Sequence, residues 1–531
     1  MKIYFVFILI LCTMHLFGLD EKANISHQEI NIVKGIVFHD KTMTGLFDPA
    51  QDTPLEGIAV SNGREIAISD QNGLYELPHR DNSAIFVIKP RNWIVPVDED
   101  QLPQFYVFHS TTGASGTKFE GLPPTLPLPD LINFPLYPAD EPDKFNVLVF
   151  GDTQARNEKE VYYMSQDALP ELIGVDAEFG ITLGDIVYDN LNMFEHVKQS
   201  ISTIGIPWHN VLGNHDLDFT ANNDWDARGA FYRNFGPSWY SFSYGTAHFI
   251  VLDNIRWIVE EDKRYYTAGL GDDQMEFLRN ELGRLDKNQL VFLLAHRPWN
   301  MGPREIWQNV DEKNEFFKLL AGYPNSVSLV SHTHRHYHHF LGSEENFPGY
   351  NPHHMISVGT ICGAWWSGAL DEYGIPHAMM SDGTPTSYAF LHIDGSEWKM
   401  SWKAARRPAE FQMHVYAPET VTTQESAGIY VTAHIFNALP TAEVKMRIGN
   451  SGEWIYMEKI SKPDPVRVIV TEREAELGEV PWRNISRAAL SEYLWEAKIN
   501  TKLNTGVHVI QVKAIDKWWE YTGNRLIHVR Q

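Results

Sequence analysis

Residues 206–216 read "IPWHNVLGNHD": a strand-length run, a glycine, then three side chains that suit a polar site, Asn214, His215 and Asp216. Taken alone, an Asp or Asn after a strand is a turn residue. The pattern recurs, however. "FNVLVFGDTQ" ends in Asp152 and Gln154, and "FGITLGDIVYD" in Asp185, with Tyr188 and Asp189 just beyond. "QLVFLLAH" ends in His296, and "SVSLVSHTH" in His332 and His334. Amphipathic stretches such as "DQMEFLRNELGRLD" alternate with these runs, which is the texture of an α/β fold. In open α/β sheets the carboxyl ends of parallel strands share one edge, where ligands bind. Five strands thus carry carboxylate, amide and imidazole groups to one rim, and turn chemistry alone does not account for that. Gly151, Gly184 and Gly213 each precede one of these groups, where a missing Cβ lets the backbone approach a buried ion.

The order of the segments resembles the calcineurin-like metallophosphoesterase superfamily. There the segments run Asp-x-His, Gly-Asp-x-x-(x-)Asp, Gly-Asn-His-(Asp/Glu), a lone His, and Gly-His-x-His. Here they run "GDTQ", "GDIVYD", "GNHD", "AH" and "SHTH", within residues 146–395. The resemblance implies a four-layer sandwich of two mixed β-sheets flanked by helices. It also implies two divalent or mixed-valence metal ions. Asp152, Gln154 and His334 would hold one, Asn214, His296 and His332 the other, with Asp185 bridging them. Mixed imidazole and oxygen ligands suit Mn, Fe or Zn. Two cations about 3.5–4 Å apart clamp a phosphoryl group, offset its developing charge and make water nucleophilic near neutral pH. His215 would be the general acid that protonates the leaving oxygen, and Asp216 reads either as the group that orients it or as a plain surface carboxylate.

Three departures from the pattern matter. Gln154 stands where the family usually has histidine, so one metal gains a weaker, neutral donor. Ser331 replaces the glycine before the histidine pair. "GDIVY" also fits a purple-acid-phosphatase-type enzyme, in which Tyr188 would bind iron; the plainer reading is a ring packed beside the site. The segment "SHTHRHYHHF" (331–340) holds five of the chain's 23 histidines. His336, His338 and His339 have no role in the pattern and read as solvated side chains of a surface segment. Trp365 and Trp366, in the loop after the last ligands, read as core or domain-interface packing. Arg156 and Arg297 flank ligands and suit either a phosphate oxygen or a salt bridge.

Outside this region the texture changes. At 531 residues the chain is long enough for several cores. Residues 1–18 have one lysine and a long apolar stretch, the layout of a signal peptide, which implies an exported, periplasmic, cell-surface or secreted protein with no transmembrane segment after processing. Residues 31–110 alternate like a small β-sandwich, resembling transthyretin-like or carboxypeptidase-regulatory-like modules. Residues 111–145 form a proline-rich linker, 146–400 the metallophosphoesterase domain, and 405–531 a second β-sandwich. With signal removal Cys362 is the only cysteine, so no intramolecular disulfide is possible. A net charge of −24 argues against nucleic-acid binding as the main role. The expected substrate is a phosphorylated small molecule, glycan or lipid head group. The rival class is a non-catalytic scaffold that binds glycan or protein, but such a scaffold has no need of a near-complete ligand set.

Overall fold

A computed structural model describes residues 32–114, 118–261, 263–300 and 307–531. The expected signal peptide lies outside them. The central region is built on eleven strands. These are β1 (Lys144–Phe150), β2 (Phe179–Thr182), β3 (Trp208–Asn210), β4 (Tyr240–Tyr244), β5 (Ala247–Val251) and β6 (Leu290–Leu294). They continue with β7 (Ser326–Val330), β8 (Tyr337–Leu341), β9 (His353–Ser357), β10 (Ser387–Asp394) and β11 (Glu397–Ala404). One sheet has the order β3-β2-β1-β10-β11, and the other β4-β5-β6-β7-β9-β8. In the first sheet β3, β2 and β1 are parallel and β10 and β11 antiparallel, while in the second a parallel middle is flanked by an antiparallel pair at each edge, so both sheets are mixed.

The layering follows from side-chain parity. Val147 and Val149 of β1 share a core with Phe249 and Phe292 of the second sheet. Leu148 and Phe150, on the opposite face, pack on helices α1 (Glu158–Asp167) and α2 (Phe194–Ser202) through Val161, Met164, Phe194 and Val197. The second sheet is covered on its outer side by α3 (Asp272–Arg284) and α4 (Val310–Ala321), through Phe277, Leu278, Phe316 and Phe317. The result is helix, sheet, sheet, helix: a four-layer α/β sandwich. Strands buried on both faces explain why their sequences are continuous apolar runs rather than alternating ones. Asn157 starts α1 and Asn309 starts α4, each accepting a hydrogen bond from a backbone N–H of the first turn.

Before β1 lie two small sheets. Ile32–His39 pairs with Leu74–Pro78, and Ala59–Ser61 lies between Ile66–Ile68 and Ser83–Val87. The proline-rich stretch is not only a connection. Its segment Phe134–Pro138 pairs in parallel with Ile32–His39 and antiparallel with Trp93–Ile94, because extended backbone tolerates proline where a ladder is short. After β11, two further sheets enclose their own core around Val431, Trp495, Ile510 and Ile527.

Candidate metal centre

Every side chain proposed for the rim lies just past a strand of the two central sheets. Asp152 and Gln154 follow β1, Asp185 follows β2, Asn214 and His215 follow β3, His296 follows β6, and His332 and His334 follow β7. Asp185, His296 and His332 offer ligand atoms within 4.8 Å of one another. His296 Nε2 is 3.2 Å from Asp185 Oδ2 and 3.1 Å from His332 Nδ1. His334 Nε2 is 3.2 Å from Asp152 Oδ2, and Gln154 Nε2 donates to Asp185 Oδ2 at 2.7 Å. Gln154, Asp185, His332 and His334 all have left-handed backbone, φ between 39° and 64°. Non-glycine residues hold that conformation only where their surroundings impose it, and such positions cluster at functional sites. Glycine is required at 213: a Cβ there would lie 2.0 Å from Asp185 N.

Hydrogen bonds fix which atoms face the cluster. His296 Nδ1 donates to Leu183 O at 2.8 Å and His334 Nδ1 to Gly363 O at 2.5 Å, so each ring turns its Nε2 inward. Ser331, the departure from glycine, donates its hydroxyl to Asp152 Oδ1 at 2.5 Å and steadies that carboxylate. Burial alone would raise the carboxyls of Asp152 and Asp185. The histidines around them outweigh it and hold both below the usual range. In turn the Asp185 charge overcomes burial at His296 and lifts it to about 9. The donor set fits metal ions on independent grounds as well. Asn214 is 1% exposed, and neither its Oδ1 nor its Nδ2 has a hydrogen-bond partner among the described residues. A buried amide left in this state is costly unless something binds it.

His215 lies at the edge of the cluster, partly open to solvent. Its Nδ1 is 2.6 Å from Asp189 Oδ1, which leaves Nε2 to face a substrate. Tyr188 stacks on the imidazole, 4.2 Å between centroids, as a packed ring. The expectation that Asp216 orients His215 is corrected here. Asp216 accepts hydrogen bonds from Gly213 N and Val187 N, and burial together with the Asp185 charge raises it to about 8. Asp216 braces the turn, and Asp189 aligns the imidazole. Cys362 also escaped the sequence reading: its sulfur lies 3.7 Å from both Gln154 Oε1 and His334 Nδ1.

His336 and His338 are a second correction: they are 1% and 3% exposed, not solvated. Nε2 of each donates to Asn437 Oδ1, at 2.8 and 3.1 Å, because the C-terminal sheets cover this edge. His339 is half-buried and bonds to Glu345. Trp366 is buried, donating to Thr153 O, whereas the half-buried Trp365 lies 4.4 Å from the His334 ring. Arg156 pairs with Glu160, and Arg297 is fully buried.

Three family profiles match. "N terminal of Calcineurin-like phosphoesterase" covers residues 41–123, "Calcineurin-like phosphoesterase" 145–336, and "C terminal of Calcineurin-like phosphoesterase" 356–521. No curated protein matches the chain by sequence. Among solved structures, a dimetal phosphatase from Danio rerio shares 13% identity over 49% of this chain and 99% of its own, with a TM-score of 0.35. A purple acid phosphatase from yellow lupin (Lupinus luteus) seeds shares 12% over 70% of this chain and 66% of its own, with a TM-score of 0.36. The three profiles follow one another in family order along the chain, which belongs to the calcineurin-like phosphoesterases, metal-dependent hydrolases of phosphoric esters.

Proposed function

We propose that this chain is an exported phosphoesterase with a dinuclear metal centre, acting on phosphate mono- or diesters. Asp152, Gln154 and His334 would hold one ion, Asn214, His296 and His332 the other, and Asp185 both. When bound, the two ions supply positive charge to the phosphoryl oxygens and make water nucleophilic near neutral pH. The remaining work falls to protein groups. The inward Nε2 atoms of His296 and His334 and the steadied carboxylate of Asp152 set the geometry in advance, so little reorganisation is needed during reaction. His215 Nε2 gives its proton to the departing oxygen, and Asp189 holds the ring in the tautomer that carries it. Tyr188 keeps the ring from rotating.

The observation that carries the reading is the buried, unpartnered amide of Asn214 inside a cluster drawn from five strand ends. Export rests on the apolar N-terminal stretch. No helix of the described residues is long and apolar enough to cross a membrane. The flanking parts, 31–110 and 405–531, are taken as accessory domains around a catalytic unit at 146–400. We favour a phosphorylated small molecule, glycan or lipid head group as substrate.

The test is hydrolysis of a chromogenic phosphate monoester and its diester by protein stripped of metal and reloaded with Mn, Fe or Zn. Activity that returns with metal and is lost in Asp185→Asn supports the reading, and the ratio of the two rates names the ester class. No cleavage of either ester under any metal would shift support to the scaffold.

A further inference from the structure

Trp365, packed beside His334, also meets a cationic side chain from a different part of the chain. Arg483 lies in the segment after the helix Pro465–Leu477, within the C-terminal region. Its backbone carbonyl accepts from Gly368 N at 2.8 Å, which ties this segment to the loop that follows the last histidine ligands. Its guanidinium lies 5.8 Å from the centre of the Trp365 ring, and Trp365 in turn lies 4.4 Å from the His334 ring.

Two guanidiniums end on one oxygen. Arg156 Nη2 donates to Trp365 O at 2.8 Å, and Arg483 Nη1 reaches the same atom at 3.4 Å. Like charges brought this close repel one another. Arg156 is matched, with Glu160 in salt-bridge contact. Arg483 is exposed, and no carboxylate among the described residues forms a salt bridge with it. Trp365 itself sits in left-handed backbone at φ 56°, so the carbonyl that gathers both arginines is held in an imposed conformation. A planar guanidinium with free N–H groups is suited to a carboxylate or phosphate.

We propose that Arg483 binds a second anionic group of the substrate, a further phosphate or a carboxylate, next to the phosphate that is cleaved. The inference rests on the phosphoesterase reading and narrows its substrate class to molecules with two anionic groups. It also gives the C-terminal region a part in substrate choice.

The experiment measures binding, so turnover does not enter. Metal-loaded full-length protein, Arg483→Ala, Arg483→Lys and Asp185→Asn are titrated calorimetrically with three non-hydrolysable probes. Methylphosphonate carries one anionic group, phosphonoacetate adds a carboxylate, and methylenediphosphonate adds a second phosphonate. Metal content is checked before and after each titration, and melting temperature confirms that each variant folds. The expected result is at least tenfold tighter binding of one two-group probe than of methylphosphonate. Arg483→Ala should cut that ratio to threefold or less, and Arg483→Lys should restore part of it. The better of the two probes identifies the second group. A ratio unchanged in Arg483→Ala overturns the proposal, while methylphosphonate binding that is lost in Asp185→Asn would leave the phosphoesterase reading standing. If no probe binds the loaded protein, both readings fall.

Discussion

His215 and Asp189 show how a single residue's role depends on what it touches. With Nδ1 bound to Asp189 at 2.6 Å, only Nε2 is free for a leaving oxygen. His215→Ala should therefore lower kcat by roughly 10²–10⁴-fold for an alkyl phosphate and much less for a nitrophenyl ester, whose leaving group needs no proton. Asp189→Asn should show the same dependence on leaving group, more weakly. An equal loss on both esters, or loss of bound metal, would point to a structural role instead. The candidate ligands were legible as a set in the sequence because each ends an apolar run. Asp189 was visible too, but nothing in its spacing set it apart from Asp216. Only the fold shows that Asp216 turns inward to backbone N–H groups.

At the scale of elements, the turns decide whether the strand ends meet. A Cβ at position 213 would lie 2.0 Å from Asp185 N and 2.2 Å from its Oδ1. Gly213→Ala should therefore displace Asp185 and cost at least tenfold in metal affinity, measured by competition with a chromogenic chelator; unchanged affinity would show that the turn can give way. The strand edge at β8 makes a second case. His336 and His338 share Asn437 Oδ1, and the Tyr493 hydroxyl donates to His338 O at 2.7 Å. Asn437→Leu leaves the buried histidine N–H groups without an acceptor, at a cost of roughly 1–3 kcal/mol. That loss should appear as a lower urea midpoint, and an unchanged midpoint would mean water satisfies those groups. Sequence could place these histidines on one face of a strand. It could not show that residues about a hundred positions later cover that face.

Across the whole molecule, burial of neutral histidines sets the response to acid. His209 and His353 are pushed down to about 3, His338 to about 4 and His354 to about 2, chiefly by burial. In the unfolded chain each would titrate near 6.5. Below that pH the unfolded state binds more protons, so stability falls as pH drops, until the folded-state values are reached. Each histidine contributes a slope of about 1.4 kcal/mol per pH unit within that window. The urea midpoint should thus fall steadily from pH 6.5 to pH 5, and a flat profile would contradict the burial. The α/β texture was legible because strands buried on both faces read as unbroken apolar runs, whereas the four-layer order came only from the family resemblance. The covering of one domain by another was not legible, since the contacts that make it are single side chains such as Asn437 and Arg483, with no pattern of their own. The central claim is that one cluster of strand ends holds two metal ions. The measurement that tests it most directly is metal content per chain after reloading and gel filtration, in the wild type and in Asp185→Asn. We predict close to two ions in the wild type, with loss of at least one in the variant. A wild type that retains one ion or none, or a variant that keeps both, would contradict it.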